Sequence, residues 1–180
     1  MEFKKNNVKI FILSGKARSW KDKAYTVIKD FYSDKKVINI SFGHYIKDYA
    51  KRVSDWDGSE ETKPRELLQS LGIELIKNKI DSKLFIRRII EDIEIFSYFY
   101  DIIVLTDARL VDEIETLKKK YTDAITIRII RNSDNGLTES EKKHLTEVDL
   151  DNYNNFDYLV ENDDLFEEKI LEILKEVHYE

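Results

Sequence analysis

The 180 residues, 42% hydrophobic and 37% charged, predict a single folded domain, 1–180, large enough for a real core. A formal net charge of -6 with both signs interspersed argues against a broad basic footprint for duplex nucleic acid. Cysteine is absent, which excludes disulfides and thiolate metal sites; the three histidines are scattered at 44, 144 and 178, and no apolar run is long enough to span a bilayer.

The first apolar run, "VKIFIL" (8–13), follows a charged start and ends in Ser-Gly-Lys rather than in a small-residue cleavage site. It reads as a strand, and the protein as cytoplasmic and free of any membrane. Helical spacing covers 21–32. "KVINIS" (36–41) is the second strand, with a helix over 44–53 behind it. A polar stretch, 54–63, carries Trp56 either as a base-stacking platform or as a loop anchor. Two longer helical stretches follow, about 64–79 and 82–99. Pro64 stands near the start of the first, and Leu67, Leu68, Leu71 and Leu75 form its apolar face. "DIIVLT" (101–106) is near-continuous and rich in Ile and Val, as a strand buried on both faces should be. A helix over 110–120 follows, then "AITIRII" (124–130) and "FDYLVE" (156–161). Between these last strands lies a polar segment containing Asn135-Gly136, expected to form a lid over 132–147. "ENDD" (161–164) is expected to cap a closing helix over 164–177. Strands alternating with helices predict an α/β fold with a mostly parallel five-stranded sheet flanked by helices. Ligands in such sheets bind at the carboxyl ends of strands, which directs attention to Ser14–Lys21, Ser41–His44, Thr106–Arg109 and Arg131.

Within "SGKARSWKDKAY" (14–25) the phosphate-loop spacing is nearly present. Gly15 is the first glycine, Lys16, Ala17, Arg18 and Ser19 are the spacer, Trp20 replaces the second glycine, Lys21 is the lysine and Asp22 holds the Ser/Thr place. Such a loop points backbone N–H groups at phosphate and runs into the positive end of a helix. Read from its residues alone, it is either a phosphate site or a lysine-rich strand-to-helix turn. The indole of Trp20 either swings outward and leaves the amides usable or folds over the loop and blocks it.

"LSGKARSWKD", "KPRELLQSLGIEL" (63–75), "VLTDARLVDEIETLK" (104–118), Arg131 and "HLTEVDLDNYNNFDYLVEND" (144–163) stand in one order along nearly the whole chain. Together they resemble the deoxynucleoside monophosphate kinase family, P-loop kinases related to adenylate kinase; animal-type phosphomevalonate kinases are similar. The resemblance implies a P-loop NTPase three-layer sandwich with a lid segment, and ATP and Mg2+ as cofactors. Lys21, with the amides of Lys16–Asp22, would hold the donor phosphates, and Arg18 and Arg131 would meet the transferring phosphoryl. Asp107, with Asp22, would hold magnesium. Lys47, Arg65, Gln69 and Arg109 would bind the acceptor, with Glu113 bracing Arg109, and His144 and Glu147 would hold the lid or the acceptor.

Each residue also has a plainer reading. Lys21 is then a helix-start lysine, Arg18 and Lys47 are surface charges, and Arg65 and Gln69 are the outer face of an amphipathic helix. Asp107 caps the helix that follows it, and His144, Glu147 and Asp151 form one polar helix face. Lys23 stands where many relatives have threonine; it either points to the metal and repels it or points elsewhere. The function implied is transfer of the ATP γ-phosphoryl to a nucleoside or deoxynucleoside monophosphate. A catalytically impaired relative that binds nucleotide or a partner, or a kinase of another phosphorylated acceptor such as phosphomevalonate, are the alternatives.

Overall fold

The computed structural model describes residues 2–134 and 136–178. Strands β1 (Lys9–Gly15), β2 (Val37–Ile40), β3 (Ile102–Ala108), β4 (Ile125–Ile130) and β5 (Tyr158–Glu161) form one sheet in the order β2-β3-β1-β4-β5. Every neighbouring pair is parallel, so the sheet is wholly rather than mostly parallel. Its helices are α1 (Lys21–Phe31), α2 (Phe42–Val53), α3 (Arg65–Gln69), a π-helix (Ser70–Ile80), α4 (Leu84–Phe96), α5 (Val111–Lys120), α6 (Glu139–Lys142), α7 (Leu145–Val148) and α8 (Phe166–His178).

Three layers follow from the alternation of side chains along the central strands. Phe11 and Leu13 of β1, with Val104 of β3, pack against Ile28 of α1 and Phe166, Ile170 and Leu174 of α8. Ile10 and Ile12, with Ile103 and Leu105, pack on the opposite face against Ile89 and Ile93 of α4 and Ile114 and Leu117 of α5. The continuous apolar runs thus serve two cores at once. From β1 the chain crosses one face through α1 to β2; from β3 it crosses the other face through α5 to β4. The loops leaving these two neighbouring strands diverge and open a crevice at their carboxyl ends.

The expected helix over 64–79 is instead a short α3 continued by the π-helix, closed by Asp81 N–H donating to the Ile76 carbonyl at 2.8 Å. The wider winding moves the apolar face. Leu71 and Ile76, five apart, are buried, whereas Leu75, expected inside, is 41% exposed. A satellite cluster of Ala50, Trp56 and Leu71, with Leu67 and Leu68, ties α2 to this wall. Trp56 is therefore a loop anchor, its indole N–H donating to the Ser59 carbonyl at 3.0 Å. The expected lid region contains α6 and α7; Asn135 of its Asn-Gly pair lies outside the described residues. Among the described residues no helix is long and apolar enough to cross a membrane.

Candidate active site

The chain leaves β1 through a break in register with β3 between Ile12 and Ser14. Gly15 is required there, since a Cβ would lie 2.3 Å from Ser19 Oγ and 2.8 Å from the Ile129 carbonyl oxygen. Arg18 and Trp20 both adopt the left-handed conformation, with φ of 59° and 69°, at a cost of roughly 1–2 kcal/mol each. The missing glycine is thus replaced in conformation though not in kind. The indole of Trp20 swings outward: it packs edge-on against Phe166 of α8, with 5.5 Å between centroids, and is 39% exposed. Lys23 follows it out, its ammonium 4.8 Å from the indole and 2.8 Å from Glu167. Of the two directions open to it, Lys23 therefore takes the one towards α8. Trp20, the N-cap of α1, makes no side-chain capping bond, which among the described residues leaves the first N–H groups of that helix available to an anion.

Lys21 is buried and folded back over the loop. Its ammonium donates to the carbonyls of Gly15 and Lys16, at 2.9 and 2.8 Å, and to Ser19 Oγ at 3.2 Å. Burial, reinforced by the nearby Arg109 charge, lowers its pKa to about 7. It is not a solvated helix-start lysine.

Near the end of β3, Asp107 does not cap the helix that follows. Its two oxygens accept the N–H groups of Phe42 and Gly43, at 2.8 and 2.7 Å, and so fix the start of α2. Burial raises its pKa against those bonds. Gly43 is needed for the approach, because a Cβ there would lie 2.9 Å from Asp107 Oδ2. Glu113 braces the backbone of Arg109 rather than its guanidinium: one oxygen accepts the N–H groups of Arg109 and Leu110, at 2.8 and 3.0 Å. Burial pushes the Glu113 carboxyl up to about 8. The Arg109 guanidinium pairs with Glu147, which also accepts the Ala17 N–H at 3.0 Å.

These groups open onto one cavity of 690 Å³. From the loop, Ala17, Arg18, Lys21 and Asp22 line it, and Asp107, Arg109 and Glu147 face them. Lys47, Arg65 and Gln69 line the far part, so the four-residue spacing of Arg65 and Gln69 does place both on one wall. The π-helix continues that wall through Gly72, Ile73, Ile76 and Lys77.

Sequence reasoning gave no role to Lys63 or Glu60, which join Lys47 and Arg65 in a charged group. Lys63 is 2.9 Å from Glu60, and Lys47 is 3.7 Å from it. Lys63 directly precedes Pro64-Arg65 at the helix start, which was the available signal. Phe85, also on the wall, stacks on Tyr45; from sequence it was one apolar residue among many.

Six expected residues do not line the cavity: Gly15, Lys16, Ser19 and Trp20 of the loop, and Arg131 and His144. Arg131 donates to the carbonyls of Arg18, Ser133 and Asp134, binding the polar segment to the loop. His144 caps α7, its Nδ1 accepting the Thr146 N–H at 3.3 Å. Nor do His144, Glu147 and Asp151 form one helix face: α7 spans only Leu145–Val148, and Asp151 turns to Lys16 at 2.9 Å. Ahead of the closing helix, Asp163 accepts the Leu165 N–H at 3.1 Å, one residue before α8 begins.

A family model described as deoxynucleotide monophosphate kinase matches residues 46–173. The match covers well over half of the chain and begins downstream of the loop, so loop and match are independent observations. No curated protein matches the sequence. In fold, the chain is similar to an APS kinase from Mycobacterium tuberculosis in complex with AMPPNP and APS (TM-score 0.59, 11% identity, covering 97% of this chain and 99% of that one). It is also similar to a gluconokinase from Sinorhizobium meliloti (TM-score 0.54, 10% identity, 97% and 94% covered). A shikimate kinase from Bacteroides thetaiotaomicron gives 0.50 at 12% identity, with 96% and 99% covered. At such identities the likeness is one of fold, that of the P-loop kinases.

Proposed function

We propose, for a chain that belongs to the deoxynucleotide monophosphate kinase family, that the cavity transfers the γ-phosphoryl of ATP to a nucleoside or deoxynucleoside monophosphate. The observation that carries this reading is that the loop with Lys21 and the cations Arg65 and Arg109 line one cavity. Two anionic phosphates can therefore meet in it. Its volume is in the range of small-molecule sites.

An oxygen of the acceptor phosphate attacks the γ-phosphorus. The bond from that phosphorus to the β,γ-bridging oxygen breaks, and ADP leaves with the electron pair. Such transfers depend on positioning and charge stabilisation more than on proton abstraction. Lys21 would exchange its loop carbonyls for β- and γ-phosphate oxygens. Arg109 and Arg65, whose planar forks suit phosphate, would hold the acceptor. Gln69 would read a base edge.

The residues fit magnesium of the kind that keeps its waters and takes one or two carboxylates plus substrate phosphate. Asp22 and Asp107 both line the cavity and would hold it directly or through water. Bound with ATP, it would neutralise charge on the β- and γ-oxygens. Among the described residues no group of three or more acidic or histidine side chains gathers to form a cage. Residues 132–147, bound to the loop through Arg131, would serve as the lid within a single kinase domain.

A coupled assay across the nucleoside and deoxynucleoside monophosphates, with ATP and magnesium, tests the reading. Diphosphate formation with at least one acceptor is expected. No turnover with any of them at high enzyme concentration overturns it.

A further inference from the structure

The stretch from Glu147 to Asp151 carries an acid at every second position, and each meets a different part of the site. Asp151 pairs with Lys16 at 2.9 Å and with Arg128 at 3.6 Å, while Arg128 donates to Ser14 Oγ at 3.0 Å. Asp149 accepts the Val111 N–H at 2.8 Å, at the start of α5. Glu147 is only 5% exposed and bridges two elements, with Oε2 on the Ala17 amide of the loop and Oε1 on Nη1 of Arg109. One carboxylate thereby touches both the donor side and the acceptor side of the cavity.

A guanidinium is a rigid plane with five donors, so holding one nitrogen fixes the direction of the others. Among the described residues Nε and Nη2 of Arg109 have no hydrogen-bond partner, and they remain for a ligand in the cavity that Arg109 lines. In-line transfer demands that donor and acceptor phosphates be held at one separation and one angle. We propose that Glu147 is a positioning residue that sets the separation and orientation of Arg109 relative to the phosphate loop. The proposal rests on the phosphotransfer reading above. A different role is open to a carboxylate on a loop amide: it resembles a phosphate oxygen and would act as a plug that nucleotide must displace.

Three measurements on the full chain separate these roles: steady-state kinetics with ATP and the best acceptor, calorimetry with AMPPNP, and side-chain nitrogen NMR of Arg109, assigned by loss of its signals in Arg109→Lys. For Glu147→Ala, kcat should fall about 100-fold, the effect of a misplacement near 1 Å. AMPPNP affinity should change less than about threefold. Glu147→Gln, whose amide oxygen still accepts one N–H, should recover part of the rate. In the wild type the Nη signals of Arg109 should be distinct, and in Glu147→Ala they should merge as the guanidinium rotates freely. An unchanged or raised kcat with tighter AMPPNP binding overturns the proposal in favour of the plug. If Glu147→Ala does not fold, the near-isosteric Glu147→Gln decides by the same kinetics and spectra. If the wild type turns over no acceptor, the kinase reading fails on its own. The spectra still decide the positioning role, because signals already merged in the wild type overturn it.

Discussion

At the scale of single residues, the loop accepts a tryptophan because two opposing effects nearly cancel. Left-handed backbone at Trp20 costs roughly 1–2 kcal/mol, while the edge contact with Phe166 and the Lys23 ammonium over the ring together return about 1–2 kcal/mol. Trp20→Gly should therefore change stability by less than about 1 kcal/mol. It should also leave AMPPNP affinity within about threefold, since the indole does not line the cavity. Urea melts and calorimetry would check both; a large gain in affinity would mean that the ring obstructs the loop.

Lys21 makes a second prediction. With its pKa lowered to about 7 by burial, it is largely neutral at about pH 8, and phosphate should restore its charge. AMPPNP binding should then take up close to one proton at about pH 8 and almost none at about pH 6. Titrations in buffers of different ionisation enthalpy read this directly, and Lys21→Met should abolish it. The loop was legible in the sequence because its spacing survives around Gly15 and Lys21. The direction of the indole was not, because it depends on Phe166, which is remote in sequence and near only after α8 docks.

At the scale of elements, the strands were legible and the acceptor wall only partly so. Phe11 and Ile12 belong to opposite cores, and a run apolar at every position announces that arrangement. The change from α3 to the π-helix leaves no such mark, because Leu71, Leu75 and Ile76 satisfy an α-helical or a wider spacing about equally well. The two windings differ in what they bury. Ile76→Ala should cost about 2–5 kcal/mol, and Leu75→Ala less than about 0.5 kcal/mol. Denaturant midpoints decide, and the reverse order would restore the α-helical wall. The acid-bearing stretch 147–151 was equally hidden: a regular spacing suggested one helix face, whereas its carboxylates face separate partners.

At the scale of the molecule, the site taxes the stability of the fold. Glu113 has an ordinary pKa of 4.5 and is pushed up to about 8 by burial. Between these values the folded protein keeps a proton that the unfolded chain has lost, so stability falls as pH rises through the window. Glu113→Gln keeps an oxygen for the Arg109 and Leu110 amides and should remove this fall. The gain near pH 8 relative to pH 5 should be on the order of 2 kcal/mol, allowing for water in the cavity. Urea melts at the two pH values would show it, and an unaltered slope would place the proton elsewhere.

The chain has two tryptophans, and the fold sets one beside each half of the cavity: Trp20 in the phosphate loop, and Trp56 packed behind the acceptor wall at 9% exposure. The protein thus carries its own optical labels. The half-exposed indole should emit to the red and respond to donor nucleotide, and the buried one should emit to the blue and respond to acceptor. With Trp20→Phe and Trp56→Phe, the filling of each half could be timed separately by stopped-flow fluorescence without attaching a dye.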